Sequence, residues 1–204
     1  MATLLLTSSH GRLRHQHGRR RPTFHLDEQL PVGHVVGNMA DVAVTSQDSG
    51  RSFSLLGAHS RDIDDENAKT LFAVNSETGT IQTAVIVDRE DVCLSMRTSP
   101  CVVSLDIVIL PRFDVATVDV VIVDINDNVP SFNVNNTTRH VIESAALGPV
   151  FLLPVAVDQD VGDNGVVEYQ LLPATSPFRL VVSDNAAELT VELVEALDRE
   201  TTYV

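Results

Sequence analysis

Four acidic stretches hold the side chains of this sequence with the clearest capacity for chemistry. Asp124-Ile125-Asn126-Asp127-Asn128 closes a valine-rich run and precedes Val129-Pro130, placing four oxygen-bearing side chains in five positions. Asp88-Arg89-Glu90, Asp158-Gln159-Asp160 with the downstream Asn164-Gly165, and Glu28 supply the rest. Read alone, the first stretch is a polar turn, because Asx side chains readily bond their own backbone. Read together, the stretches are a set of hard oxygen donors, the type that suits calcium with its six to eight oxygen ligands. Histidine and cysteine are scarce among them, which argues against zinc. An EF-hand is excluded. Counting from Asp124, its sixth position is Val129 where glycine is needed, and its twelfth is Asn135 where a bidentate glutamate belongs. Asp88 and Glu90 would share a face if they lay on a strand, as a catalytic pair could, but nothing nearby supplies a cleft or contrasting environments for two carboxyls. GxSxG, HExxH and phosphate-binding glycine loops are absent. The chain is read as a non-enzyme.

The charge balance points the same way. The 204 residues carry 28 Asp and Glu against 14 Lys and Arg, a net of −14. Five of the basic groups (Arg12, Arg14, Arg19, Arg20, Arg21) lie in residues 1–21, which hold no acid. In the remainder nine basic groups face 28 acids, a net of −19. Such a surface repels phosphate backbones and attracts cations, so nucleic-acid binding is not expected. Residues 1–21 are read as a basic, disordered segment outside the fold. Their apolar patch is too short for a secretory leader, and the basic residues follow it instead of preceding it. No apolar run reaches the length of a membrane span.

The elements that must position the acids read as strands. In VVSLDIVIL, Val103, Leu105, Ile107 and Ile109 fall on one face, and in VATVDVVIVD so do Val118, Val120 and Ile122. β-branched residues dominate, long capped helical stripes are missing, and Gly, Pro, Asn and Asp punctuate at short intervals. That combination predicts an all-β antiparallel sandwich. It is also repeated. Glu28 and Glu143 each stand five residues before a glycine, 115 residues apart. Asp88–Glu90 returns as Asp198–Glu200 after 110, and the run from Leu71 is echoed from Pro177. Three echoes in one order predict a tandem repeat. The expected division is 22–130 for the first copy and 131–204 for a second, truncated one.

The Glu28 motif, DRE, DINDN with its proline, DQD and the later Asn-Gly, in that order, resemble the extracellular repeats of cadherins. LPVGHVVGNMADV, LFAVNSETGTI, VDREDVC and VDINDNVPSF are similar to the N-terminal repeat of protocadherins. The resemblance covers residues 26–204 and implies Greek-key, seven-stranded β-sandwich repeats. It implies about three calcium ions where the copies meet. Glu28, Asp88, Glu90 and Asp127 would hold two, helped by Asp124, Asp160 and the Ile125 carbonyl. Asn126, the Asn128 carbonyl, Asp158, Asp160 and the Asn164 carbonyl would hold the third, whose final family ligand falls after Val204. Glu143, Asp198 and Glu200 would serve an incomplete second junction.

Cys93 and Cys101 are either two buried thiols or a local disulfide, and the extracellular character of the neighbouring motifs favours the disulfide. Closing so short a loop would contribute about 2.5 kcal/mol. Clustered protocadherins usually enclose fewer residues here. NNTT supplies two overlapping glycosylation sequons, at Asn135 and Asn136. Classical cadherins exchange a strand anchored by tryptophan, which this sequence lacks. The resemblance then implies the protocadherin mode, homophilic cell–cell adhesion with the same protein on an apposed cell. The alternative is a calcium-rigidified spacer with heterophilic partners. Either role places the chain outside the plasma membrane, in a longer single-pass protein whose membrane segment lies beyond this sequence.

Overall fold

The computed structural model describes residues 21–42, 50–94, 100–134, 136–166, 168–173, 177–184, 188–198 and 200. Among the described residues, seven strands precede Pro130: β1 (Thr23–Asp27), β2 (Val35–Asn38), β3 (Ser52–His59), β4 (Phe72–Val74), β5 (Thr80–Thr83), β6 (Cys101–Leu110) and β7 (Asp114–Val123). They form a four-stranded sheet in the order β1-β7-β6-β3 and a three-stranded sheet in the order β2-β5-β4. The long hairpin β6–β7 is the backbone of the first sheet. Its antiparallel register sets Val103 opposite Val120 and Leu105 opposite Val118, so the alternating apolar residues of both strands share one face. Val103, Leu105, Ile107, Val118 and Val120 are fully buried, packed with Leu26, Met39, Phe72 and Ile81 between the two sheets.

One turn depends on glycine. Gly79 has φ +72°, and a Cβ there would lie 3.0 Å from both Met39 and Phe53. Only a residue without a side chain lets the β4–β5 turn close over the core.

Among the described residues, five strands follow Pro130: β8 (Ser131–Phe132), β9 (Gly148–Leu153), β10 (Ala156–Val157), β11 (Phe178–Val182) and β12 (Leu189–Leu193). β8 pairs with β10, and the other three form a sheet in the order β11-β12-β9. The three-stranded sheets match. In each, the last strand in chain order lies between the other two, as β5 does between β2 and β4. Leu189, Val191 and Leu193 of β12 are buried at alternate positions, the same period of two. The expectation of all-β sandwich repeats therefore holds.

Asp88–Glu90 do not lie on a strand. Asp88 caps a one-turn helix, α2 (Arg89–Val92), preceded in the chain by α1 (Asp65–Thr70). In both, an aspartate side chain accepts a hydrogen bond from a backbone N–H of the first turn, and acidic residues follow it. These helices are too short to show an apolar stripe, so periodicity passes over them.

Two substitutions separate core from surface. Leu105→Ala should lower the unfolding free energy by about 2–5 kcal/mol. Val115→Ala, at a position 55% exposed, should change it by less than about 0.5 kcal/mol. Denaturant unfolding of the two variants checks the contrast.

Candidate metal centre

The site begins with a pairing direction. β1 runs parallel to β7, with Asp27 opposite Val123, so both strands leave the sheet at the same end. The next residues are Glu28 and Asp124. The ladder continues one step past the strands, with the Glu28 N–H donating to the Val123 carbonyl at 3.1 Å. The Gln29 N–H donates to the Val87 carbonyl at 2.8 Å, which ties the start of α2 to the same corner.

Glu28 is 1% exposed and joins three segments. Its Oε2 accepts from the Arg89 N–H at 2.6 Å, and its Oε1 accepts from the Ile125 N–H at 2.9 Å. Asp88 accepts from the N–H groups of Glu90 and Asp91 at 3.0 and 3.3 Å, and from the Gln29 amide at 3.1 Å. The stretch from Asp158 arrives from β10. Val157 pairs with Ser131, just beyond the DINDN stretch. The Val161 N–H and the Asn164 amide then donate to Asp124, the latter at 2.8 Å. The Asn128 amide donates to Asp160 at 2.7 Å, and the Asn128 N–H donates to the same carboxylate at 3.2 Å. The Asn126 amide donates to the Asn164 carbonyl at 3.3 Å. The Ile125 carbonyl accepts from the Asp127 N–H at 3.0 Å.

Two groups of carboxylates result, one of Glu28, Asp88 and Glu90, the other of Glu90, Asp124 and Asp160. Within each, one oxygen from every residue lies within 4.8 Å of the others, and Glu90 belongs to both. Asp127 and Asp158 fall outside these groups but border them. Asp127 accepts from the Asn128 amide at 2.9 Å, and Asp158 accepts from the Asp160 N–H at 3.1 Å. A third group, Glu143, Asp198 and Glu200, is exposed throughout. There the Glu200 N–H donates to Asp198 at 3.0 Å, the same turn that Asp88 makes. Asn136 is exposed, and Asn135 lies outside the described residues.

Crowding burdens these acids. Burial pushes the Glu28 carboxyl up, with Asp127 and Asp124 adding to the shift and the two backbone N–H bonds opposing it. Burial likewise pushes Glu90 up to about 7, aided by the charge on Glu28 and opposed by Arg89. Glu90 Oε2 is buried with no hydrogen-bond partner. Arg89 is a buried charge at this site that spacing alone did not reveal. It is 4% exposed, and its Nη1 lies 3.1 Å from Glu90 Oε1 and 3.5 Å from Asp124 Oδ1.

Cys93 and Cys101 form a disulfide, with an S–S distance of 2.06 Å. It ties the residue after α2 to the first residue of β6.

A family described as Cadherin-like matches residues 22–110. Protocadherin gamma-A10 of Homo sapiens is 34% identical over 188 residues, covering 90% of this chain and 19% of the relative. Protocadherin gamma-A8 of Homo sapiens is 35% identical over 189 residues, again covering 90% of this chain and 19% of the relative. The chain belongs to the cadherin superfamily. Among solved structures, extracellular cadherin domains 1–4 of protocadherin gamma B7 superpose with a TM-score of 0.68 at 28% identity, covering 88% of this chain and 42% of that one. The extracellular domain of protocadherin gamma B4 gives 0.71 at 27% identity, covering 89% and 28%. The chain thus spans about a fifth of the length of the curated protocadherins it matches. Those relatives are adhesion proteins and not enzymes, and cadherins as a family bind calcium. No helix among the described residues of this cadherin chain is long and apolar enough to cross a membrane.

The raised Glu90 value has a consequence for stability. Its folded value of about 7 lies above the ordinary 4.5. Between those values the folded chain holds more protons than the unfolded one, so stability falls as pH rises. His59, raised by the hydrogen bonds its ring N–H groups donate to the carboxylates of Asp65 and Asp106, adds a loss of the same sign only above its ordinary 6.5. In chelator, the melting temperature should therefore fall between pH 5 and pH 6.5, and Glu90→Gln should flatten that fall. A melting temperature that rises with pH across this window contradicts the assignment.

Proposed function

We propose that residues 22–130 and 131–204 are successive cadherin repeats whose junction binds about three calcium ions. Glu28, Asp88, Glu90, Asp124 and Asp127, with Asp160 and the Ile125 carbonyl, would hold two. Asn126, Asp158, Asp160 and the carbonyls of Asn128 and Asn164 would hold the third. The observation that carries this reading is Glu90. It belongs to two carboxylate groups drawn from four separate stretches, and its buried Oε2 has no hydrogen-bond partner. All the donors are oxygens, a set suited to calcium. The ions would supply positive charge that the cluster lacks. Two like charges about 5 Å apart at an effective dielectric of about 20 repel by roughly 3 kcal/mol, and shared divalent cations turn that repulsion into attraction across the junction. The stretch from Asp127 to Phe132 would then be held rigid by metal bound from both sides.

The chain would serve as part of a protocadherin-like ectodomain on the outer side of the plasma membrane, within a longer single-pass protein. Its role there would be calcium-dependent homophilic adhesion. The exposed Glu143, Asp198 and Glu200 would begin a second junction.

Calcium titration tests the metal. At an affinity in the range of extracellular modules, about 10⁻⁴–10⁻³ M or somewhat tighter, calcium should raise the melting temperature and protect the backbone near Asn128 from proteolysis. Glu90→Ala and Asp160→Ala should each blunt both effects. A flat response to calcium rejects the reading. Adhesion is tested by coating beads with the ectodomain. Aggregation in calcium that is lost in chelator, and that excludes beads bearing a different protocadherin, is the expected result. Failure to aggregate would favour a spacer role.

A further inference from the structure

We infer that Arg89 is a built-in counter-ion of the junction, which occupies the charge position of a metal ion and sets how much calcium the site requires. The inference rests on the calcium reading above and concerns a residue that is not itself an oxygen donor. Arg89 is 4% exposed, so its guanidinium lies inside the acidic cluster and not on its rim. One nitrogen, Nη1, reaches Glu90 Oε1 at 3.1 Å and Asp124 Oδ1 at 3.5 Å. Those two carboxylates belong to the group that also contains Asp160. The backbone N–H of the same residue donates to Glu28 at 2.6 Å. A single residue thus touches Glu28, Glu90 and Asp124, which arrive from three separate stretches of chain.

The geometry has two opposed effects. Without metal, the guanidinium offsets part of a carboxylate repulsion that would otherwise open the junction, because removing one partner of a buried pair strands the other charge. With metal, the same positive charge repels the incoming cation. Glu90 must also give up its bond to Nη1 if Oε1 is to turn toward an ion. Even at the dielectric of water, a unit charge about one side-chain length from a divalent ion weakens its binding by roughly tenfold. Arg89 therefore trades calcium affinity for integrity without calcium.

The test compares the intact chain with Arg89→Gln and Arg89→Lys, using calorimetric calcium titration and melting in chelator. Arg89→Gln should melt at lower temperature in chelator, match the unaltered chain in saturating calcium, and bind calcium about tenfold more tightly. Arg89→Lys keeps the charge and should stay within about threefold of the unaltered affinity. If the unaltered chain shows no calcium binding, the metal reading fails and this inference with it. If the unaltered chain binds but Arg89→Gln leaves affinity and chelator melting unchanged, only the counter-ion role is overturned. An Arg89→Gln chain that is unfolded in chelator but folds in calcium supports the role. One that remains unfolded in saturating calcium overturns it, because the ion should replace the lost charge.

Discussion

The Glu28 carboxylate, buried and held by two backbone N–H groups, is the constraint on which the rest of the acidic corner depends. Those donors belong to Arg89, at the start of α2, and to Ile125, just past β7. Glu28 can reach both only because β1 runs parallel to β7 and ends level with it. An antiparallel β1 would deliver residue 28 to the opposite end of the sheet. The core of the sandwich therefore does more than stabilise the chain. The register that buries Leu26 beside Ile122 also delivers Glu28 and Asp124 to the same corner.

That corner is electrostatically expensive. Burial and mutual repulsion push the Glu28 and Glu90 carboxyls toward their protonated forms, while backbone N–H groups and one arginine counter them. The Asn residues have a definite part in this balance. Asn126, Asn128 and Asn164 contribute oxygen and N–H groups without adding charge, and their amides bond across from the DINDN stretch to the residues after β10. On the proposed reading these direct bonds are what bound ions would reorganise, drawing the same oxygens toward metal. The second acidic group, at Glu143, Asp198 and Glu200, repeats the local geometry of the corner but not its burial. The same turn forms, but every carboxylate stays exposed to water.

Much of this was legible from residue order. Alternation in β6 and β7 marked the buried faces correctly, because period two is enforced wherever one face of a sheet is covered. The recurrence of Glu28 and DRE marked the repeat, and the three-stranded sheets bear it out in their matching strand order. What escaped was short-range or fully tertiary. Asp88-Arg89-Glu90-Asp91 and Asp64-Asp65-Glu66 both carry the sign of a helix start, a capping aspartate followed by acids. Helices of four and six residues leave no apolar period to reinforce it. The burial of Arg89 had no local sign at all. An arginine between two acids reads as a solvated charge until the fold sets Asp124 beside it.

Diffraction from crystals grown in calcium, at a wavelength where calcium scatters anomalously, addresses the central claim most directly. The account predicts anomalous peaks about 2.3–2.6 Å from carboxylate oxygens of Glu28, Glu90, Asp124 and Asp160. Peaks confined to other surfaces, with these carboxylates still bonded only to amides and to Arg89, would contradict it.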